Sequence, residues 1–198
     1  MKNLTKCVLT AIAASVICGC AGNIQTFVDP GYHHADWNTI QPAPAPIPVK
    51  LAVQFQQNGQ PMASVDPGLR QDVAQALRRS QVFNPVDDDS ATATLTVTAN
   101  NLANLDAAKS KGRSAAYSFG SNGSTVEDNY VFDIAYQDGN GRSFDHSYDH
   151  RLVSTLGKTE APEGMQPTTL AAGFQQVVQD VVLNFIQDWQ TGAVASSR

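Results

Sequence analysis

The chain has 198 residues, 42% of them hydrophobic and 16% charged, with 13 Lys and Arg against 18 Asp and Glu for a formal charge of −5 at pH 7. The length suits one domain with its own core, and the acidic balance argues against nucleic acid as a partner, because such binding leaves a basic footprint. All cysteines (Cys7, Cys18 and Cys20) lie at the amino terminus, so the rest of the chain supports neither a disulfide framework nor a cysteine metal site.

Lys2 and Lys6 introduce a short apolar run from Cys7 to Ile17. A bilayer-spanning helix needs roughly 20 apolar residues, so this run reads as a secretory signal over residues 1–19. Ile17-Cys18-Gly19-Cys20 resembles the lipobox of bacterial lipoproteins, with Cys18 as its unusual member. The resemblance implies cleavage after Gly19 and acylation of Cys20. Several acyl chains, each contributing about 0.8 kcal/mol per buried methylene, make such an anchor essentially permanent. Ala21 follows Cys20 where lipoproteins kept in the inner membrane carry Asp, so the expected location is the outer membrane, facing the periplasm. Without Lys2 and Lys6 the basic residues fall from 13 to 11 against 18 acids, a formal charge of −7.

Residues 20–48 read as a tether. Pro42, Pro44, Pro46 and Pro48 alternate with other residues, which favours an extended polyproline conformation rising about 3.1 Å per residue. His33, His34 and Asp36 fall in this tether, where the ordering entropy of a flexible segment opposes a metal site. Trp37 is placed to meet the lipid interface or the domain.

A domain is expected over residues 49–190, with a flexible tail over 191–198. Val49 to Phe55 alternates as a half-buried strand. Asp66-Pro67 opens a helix as cap and first helical residue, with Leu69, Val73, Ala76 and Leu77 as its apolar stripe. Ala91 to Ala99 reads as a strand that alternates threonine with apolar residues, one that Asn100-Asn101 is expected to bulge or kink and that resumes over Arg113–Phe119. Gly120-Ser121-Asn122-Gly123 is a turn, followed by alternation at Tyr130, Phe132, Ile134 and Tyr136. Asp138-Gly139-Asn140-Gly141 then reads as a hairpin, since these residues tolerate positive φ. The return strand, Arg142 to Val153, places Phe144, His146, Tyr148, His150 and Leu152 on one face. Thr168 caps a final helix whose stripe runs Leu170, Phe174, Val177, Val178, Val181, Phe185 and Trp189, with Gln175, Gln176, Gln179, Asp180 and Gln187 outside. The expected class is α+β: a mostly antiparallel sheet of three to four strands with two helices on one face, in the order β-α-β-β-β-α.

The chemistry on offer is thin. On a strand rising about 3.3 Å per residue, His146 and His150 lie roughly 13 Å apart, too far for one metal ion. His146, Asp149 and a serine invite comparison with a triad, but no Gly-x-Ser-x-Gly elbow presents a nucleophile. Asp87, Asp88 and Asp89 lack the glycine spacing of a calcium loop. Glu160 and Glu163 fall in a loop, where solvation leaves carboxylates untuned. The expectation is a non-enzyme without cofactor or metal. Lys109, Lys111 and Arg113 stand out as a dense basic cluster in an acidic chain. Alternating on an extended segment they share one face and suit lipid phosphates; as an edge guard they would instead block unwanted strand pairing.

Lipobox, tether, strand, Asp-Pro-capped helix, strand hairpin, return strand and terminal amphipathic helix together resemble LptE-like lipopolysaccharide-assembly lipoproteins, and are similar to the auxiliary lipoproteins of envelope lipid transporters. The resemblance rests on element order over residues 49–189. It implies an accessory role with an envelope protein as partner. It also implies lipopolysaccharide contact near Lys109, Lys111 and Arg113.

Overall fold

The computed structural model describes residues 24–102, 124–157 and 159–195. Its elements are β1 (Ile24–Val28), a 3-10 turn (Pro30–Tyr32), β2 (Ile47–Gln57), β3 (Gln60–Pro61), α1 (Asp66–Ser80), β4 (Phe83–Val86), β5 (Ala93–Asn101), β6 (Ser124–Asp138), β7 (Ser143–Leu156), β8 (Pro167–Thr168) and α2 (Leu170–Ala195). The alternation read in the sequence becomes one buried sheet face: Val49, Leu51 and Phe55 of β2, Leu95, Val97 and Ala99 of β5, Phe132, Ile134 and Tyr136 of β6, Tyr148 and Leu152 of β7. Between them Lys50, Thr94, Thr96, Asp133 and Asp149 remain in solvent, as the strand pleat requires.

The sheet is larger than expected and mixed. Eight strands run in the order β3-β2-β5-β6-β7-β1-β8, with β4 also on β2. β2 is parallel to both β4 and β5, because α1 carries the chain back to the starting end, and a helical crossover yields parallel neighbours. β3, β4 and β8 have two to four residues each, too few to show a period. Asn100 and Asn101 do not kink β5; they stay in register with Val131 and Tyr130 of β6.

Both helices lie on one face, joined across their contact by Gln175 Nε2 donating to Gln75 Oε1 at 3.3 Å. Asp66 is the first helical residue of α1, not its cap, and its carboxylate accepts the Phe55 N–H at 2.7 Å. Thr168 belongs to β8. Thr169 caps α2 instead, taking the Ala172 N–H at 3.2 Å, and the helix continues through residues read as a frayed tail. Phe83 anchors the core under both helices, with Trp189 and Tyr136 rings 5.0 and 5.7 Å away. No helix among the described residues is long and apolar enough to cross a membrane.

The largest departure concerns the tether. From Ile24 onward this segment is part of the domain. β1 is an interior strand, antiparallel to β7 on one side and to β8 on the other. Thr26 and Leu152 meet Gly173 of α2 at 3.2–3.3 Å from where its Cβ would lie. The pleat therefore turns Phe27 and Val153 to the opposite side, where they are also buried. Residues 29–46 then strap the outside of the helices: Ala43 N–H and Ile47 N–H donate to Gln81 and Val82 carbonyls, and Arg79 stacks 4.0 Å from the Trp37 ring.

Candidate functional site

The strap begins with a charged corner. Asp29 caps the 3-10 turn, its Oδ1 accepting the Gly31 N–H at 2.9 Å. Its Oδ2 receives Arg151 Nε at 2.9 Å and a second, shorter bond from the same guanidinium. Burial pushes the Asp29 carboxyl up, but the Gly31 N–H and the Arg151 guanidinium outweigh it and hold it below its ordinary 3.8. A folded value below the unfolded one stabilises the fold above the unfolded value, and that stabilisation is lost as pH falls through the folded value. Asp29→Asn should therefore cost about 1.5 kcal/mol near neutrality. Melting curves taken between about pH 6 and pH 3 should show a shallower acid-side decline in the variant.

Next comes a clasp made of two histidines and one carboxylate. Asp180, 2% exposed on α2, takes His33 Nδ1 on Oδ1 at 2.8 Å and His150 Nε2 on Oδ2 at 3.3 Å. His150 of β7 is 1% exposed and stacks on Tyr32, with ring centroids 5.3 Å apart. The Arg151 N–H reaches His150 Nδ1 at 2.8 Å. That nitrogen is an acceptor, so the ring proton sits on Nε2 and points at Asp180. One turn further along α2, Asn184 accepts the Ala35 and His34 N–H groups and donates to the Tyr32 carbonyl at 3.1 Å. Gln190 closes the strap by exchanging hydrogen bonds with Gln41. Neither histidine of the clasp holds a hydroxyl nucleophile: His150 bonds Asp180 and the Arg151 backbone, His33 bonds Asp180. The arrangement fastens chain segments together rather than activating an attacking group.

Beside the clasp lies an open cleft of about 470 Å³ between the strap, β7 and α2, with His34, His146, Tyr148, Asp149 and Asp188 on its walls. Tyr148 Oη donates to Asp188 Oδ2 at 2.8 Å; burial, and then the carboxylate it serves, push the hydroxyl far above its ordinary range. The cleft runs along a free strand edge. β1 pairs with β7 only from Leu152 to Leu156, reaching back with one bond from Asp29 N–H to the Arg151 carbonyl. Among the described strands none pairs with Ser143–His150 on the side away from β6. Since Arg151 turns its carbonyl to that side, the pleat turns the N–H and C=O of Asp145, Ser147 and Asp149 the same way.

His146 and His150 share a face as expected, but one lies at the cleft and the other is sealed beneath the strap. Among the described residues no group of three or more His, Cys, Asp or Glu could hold a metal ion. Asp87 pairs with Arg70, and Asp88 with the Ser90 N–H and hydroxyl. Ser147 bonds Asp133 on the outer face, away from both histidines. Glu160 and Glu163 are exposed. Cys20, Lys109, Lys111 and Arg113, and the strand expected over Arg113–Phe119, lie outside the described residues. The sequence reading placed Asp180 on the solvated side of its helix; the strap covers that side. The available signal was the pair Asp180 and Asn184, polar at i and i+4 amid Val177, Val178, Val181 and Val182.

Fold and site together define an α+β domain on an open mixed sheet, clasped at its amino-terminal strap and unpaired along part of β7. No protein-family model and no curated protein matches the chain. Among solved structures it is similar to a PelC variant dodecamer from Paraburkholderia phytofirmans, at 11% identity and TM-score 0.35, over 84% of this chain and 97% of that one. It is similar to a candidate lipoprotein from Caulobacter crescentus at 15% identity and TM-score 0.34, over 76% and 92%. A third is protein XCC0632 from Xanthomonas campestris, at 12% identity and TM-score 0.39, over 78% and 94%. These likenesses bring no activity or partner to this chain.

Proposed function

We propose that this chain is a non-enzymatic lipoprotein, anchored through acylated Cys20 to the outer membrane on its periplasmic side, that serves an envelope assembly or transport machine by binding a partner protein. The lipobox supports the anchor. The observation that carries the binding role is the unpaired edge of β7 along the cleft. An extended segment added there would gain main-chain bonds from Asp145, Ser147 and Asp149, while the cleft would take its alternate side chains. Asp145, Asp149 and Asp188 select a basic segment over an acidic one.

The test is a photo-crosslinking residue at Ser147 in the full lipoprotein in its native membranes, with Thr96 on the outer face of β5 as control. One protein trapped from Ser147 and not from Thr96 supports the reading; identical products from the two, or none, defeat it. Ser147→Pro should abolish capture without unfolding the domain, because its N–H faces the open edge and proline is tolerated on edge strands.

A second reading, lipid or lipopolysaccharide binding through Lys109, Lys111 and Arg113, is favoured by connectivity. The chain leaves β5 at Leu102 and returns at Ser124, which lines up with Leu156 and Ile24 at the anchored end of the sheet. Neutralising the three residues should then weaken lipid binding and its salt dependence.

A further inference from the structure

One end of the domain gathers features that the proposed function does not use. The sheet register aligns Ile24 of β1 with Leu156 of β7 and, beyond it, Ser124 of β6. On the other side of β1, Thr26 pairs with Thr168, so two further residues bring the chain to Leu170, at the level of Ile24. Ile24 is 68% exposed and Leu170 55% exposed; the third exposed large apolar side chain among the described residues, Leu102 at 44%, lies five residues short of that end, its N–H on the Asn129 carbonyl at the level of Arg151. The opposite end, at the β6–β7 turn through Gly139, Asn140 and Gly141, carries none.

Covalent geometry ties this apolar end to the lipid anchor. Residues 21–23 separate Cys20 from the first residue of β1. Even fully extended, the step from Cys20 to Ile24 spans roughly 14 Å. The tether expected from the proline pattern would have let the domain stand off the bilayer; a strand that begins at Ile24 does not. Resting on the reading that Cys20 is acylated, we infer that the domain lies directly on the bilayer with a fixed orientation. Ile24 and Leu170 enter the headgroup region and the β6–β7 turn points away. The occupant of this apolar patch is the lipid surface. Two aliphatic side chains and a short leash hold the orientation, so it does not depend on ionic strength. It also leaves the free edge of β7, which lies toward the far end of the strand, open to a partner.

The experiment uses the lipidated protein on phosphatidylethanolamine–phosphatidylglycerol vesicles. Because acylation occupies Cys20 and the signal removes Cys7 and Cys18, Leu170→Cys and Asn140→Cys each offer one thiol for an environment-sensitive fluorophore. Flotation first establishes that the protein is attached. The expected result is a blue shift and quenching by headgroup-level nitroxide lipids at position 170, unchanged in high salt, with neither at position 140. Attached protein that shows no quenching at 170, or equal quenching at both positions, overturns the orientation and leaves the anchor standing. Quenching at 170 that salt abolishes also overturns it, in favour of charge-driven contact. Protein that fails to float removes the anchor itself, and the orientation with it.

Discussion

Phe27→Ala should destabilise the domain by about 3 kcal/mol, within the range for removing a fully buried phenylalanine. Phe27 is 0% exposed, and the face it occupies is the one turned away from α2. Had residues 20–48 been a solvated tether, the same substitution would leave stability unchanged. A urea titration therefore separates the alternatives: a lower midpoint with an unchanged slope places β1 inside the cooperative unit. No movement of the midpoint would detach β1 from the fold.

Asp180→Ala should cost about 3 kcal/mol, because His150 is sealed in the protein and would lose the acceptor of its Nε2 proton. Asp180→Asn should cost less, about 1 kcal/mol. The amide oxygen can still accept from His150, while its NH₂ can donate to His33 if that ring presents Nδ1 as an acceptor. The order Ala worse than Asn is the diagnostic result, read from thermal melts. Hydrogen exchange adds a local readout: the Ala35 amide, bonded to Asn184 at 2.9 Å, should lose protection in Asp180→Ala. Equal effects of the two substitutions would mean that the carboxylate is not bridging the rings.

The difference between a legible and an illegible element here is one of distance along the chain. β5 and β7 announced themselves because Leu95 and Val97, or Tyr148 and His150, alternate with exposed neighbours in a single run. α2 did so because Val177, Val181 and Phe185 recur at helical spacing. β1 did not. Ile24-Gln25-Thr26-Phe27-Val28 is short and mixed, and its two faces are both buried toward the end, so no alternation survives. The strap read as a linker because its prolines and histidines are typical of one; what holds it is a set of partners on α2. Asp180 was misplaced for the same reason: its ligand His33 is 147 residues away in sequence. The extra strands followed from tertiary pairing alone, since β3, β4 and β8 carry no signal of their own. The free edge of β7 was equally invisible, because a strand's sequence does not say which of its sides a neighbour will leave bare.

The placement of β1 has a consequence for how the chain is made. It is the earliest strand of the domain along the chain, yet Thr26 must find Ser154, 128 residues later. A chain emerging amino terminus first therefore holds this strand unpaired until nearly everything else has arrived. Long-range pairing of this kind closes slowly, and an unpaired strand is a target for stray association meanwhile. β1 is thus the first strand to emerge and among the last to be locked into the sheet. Under the proposed anchoring, acylation of Cys20 would precede the closure of β1 into the sheet.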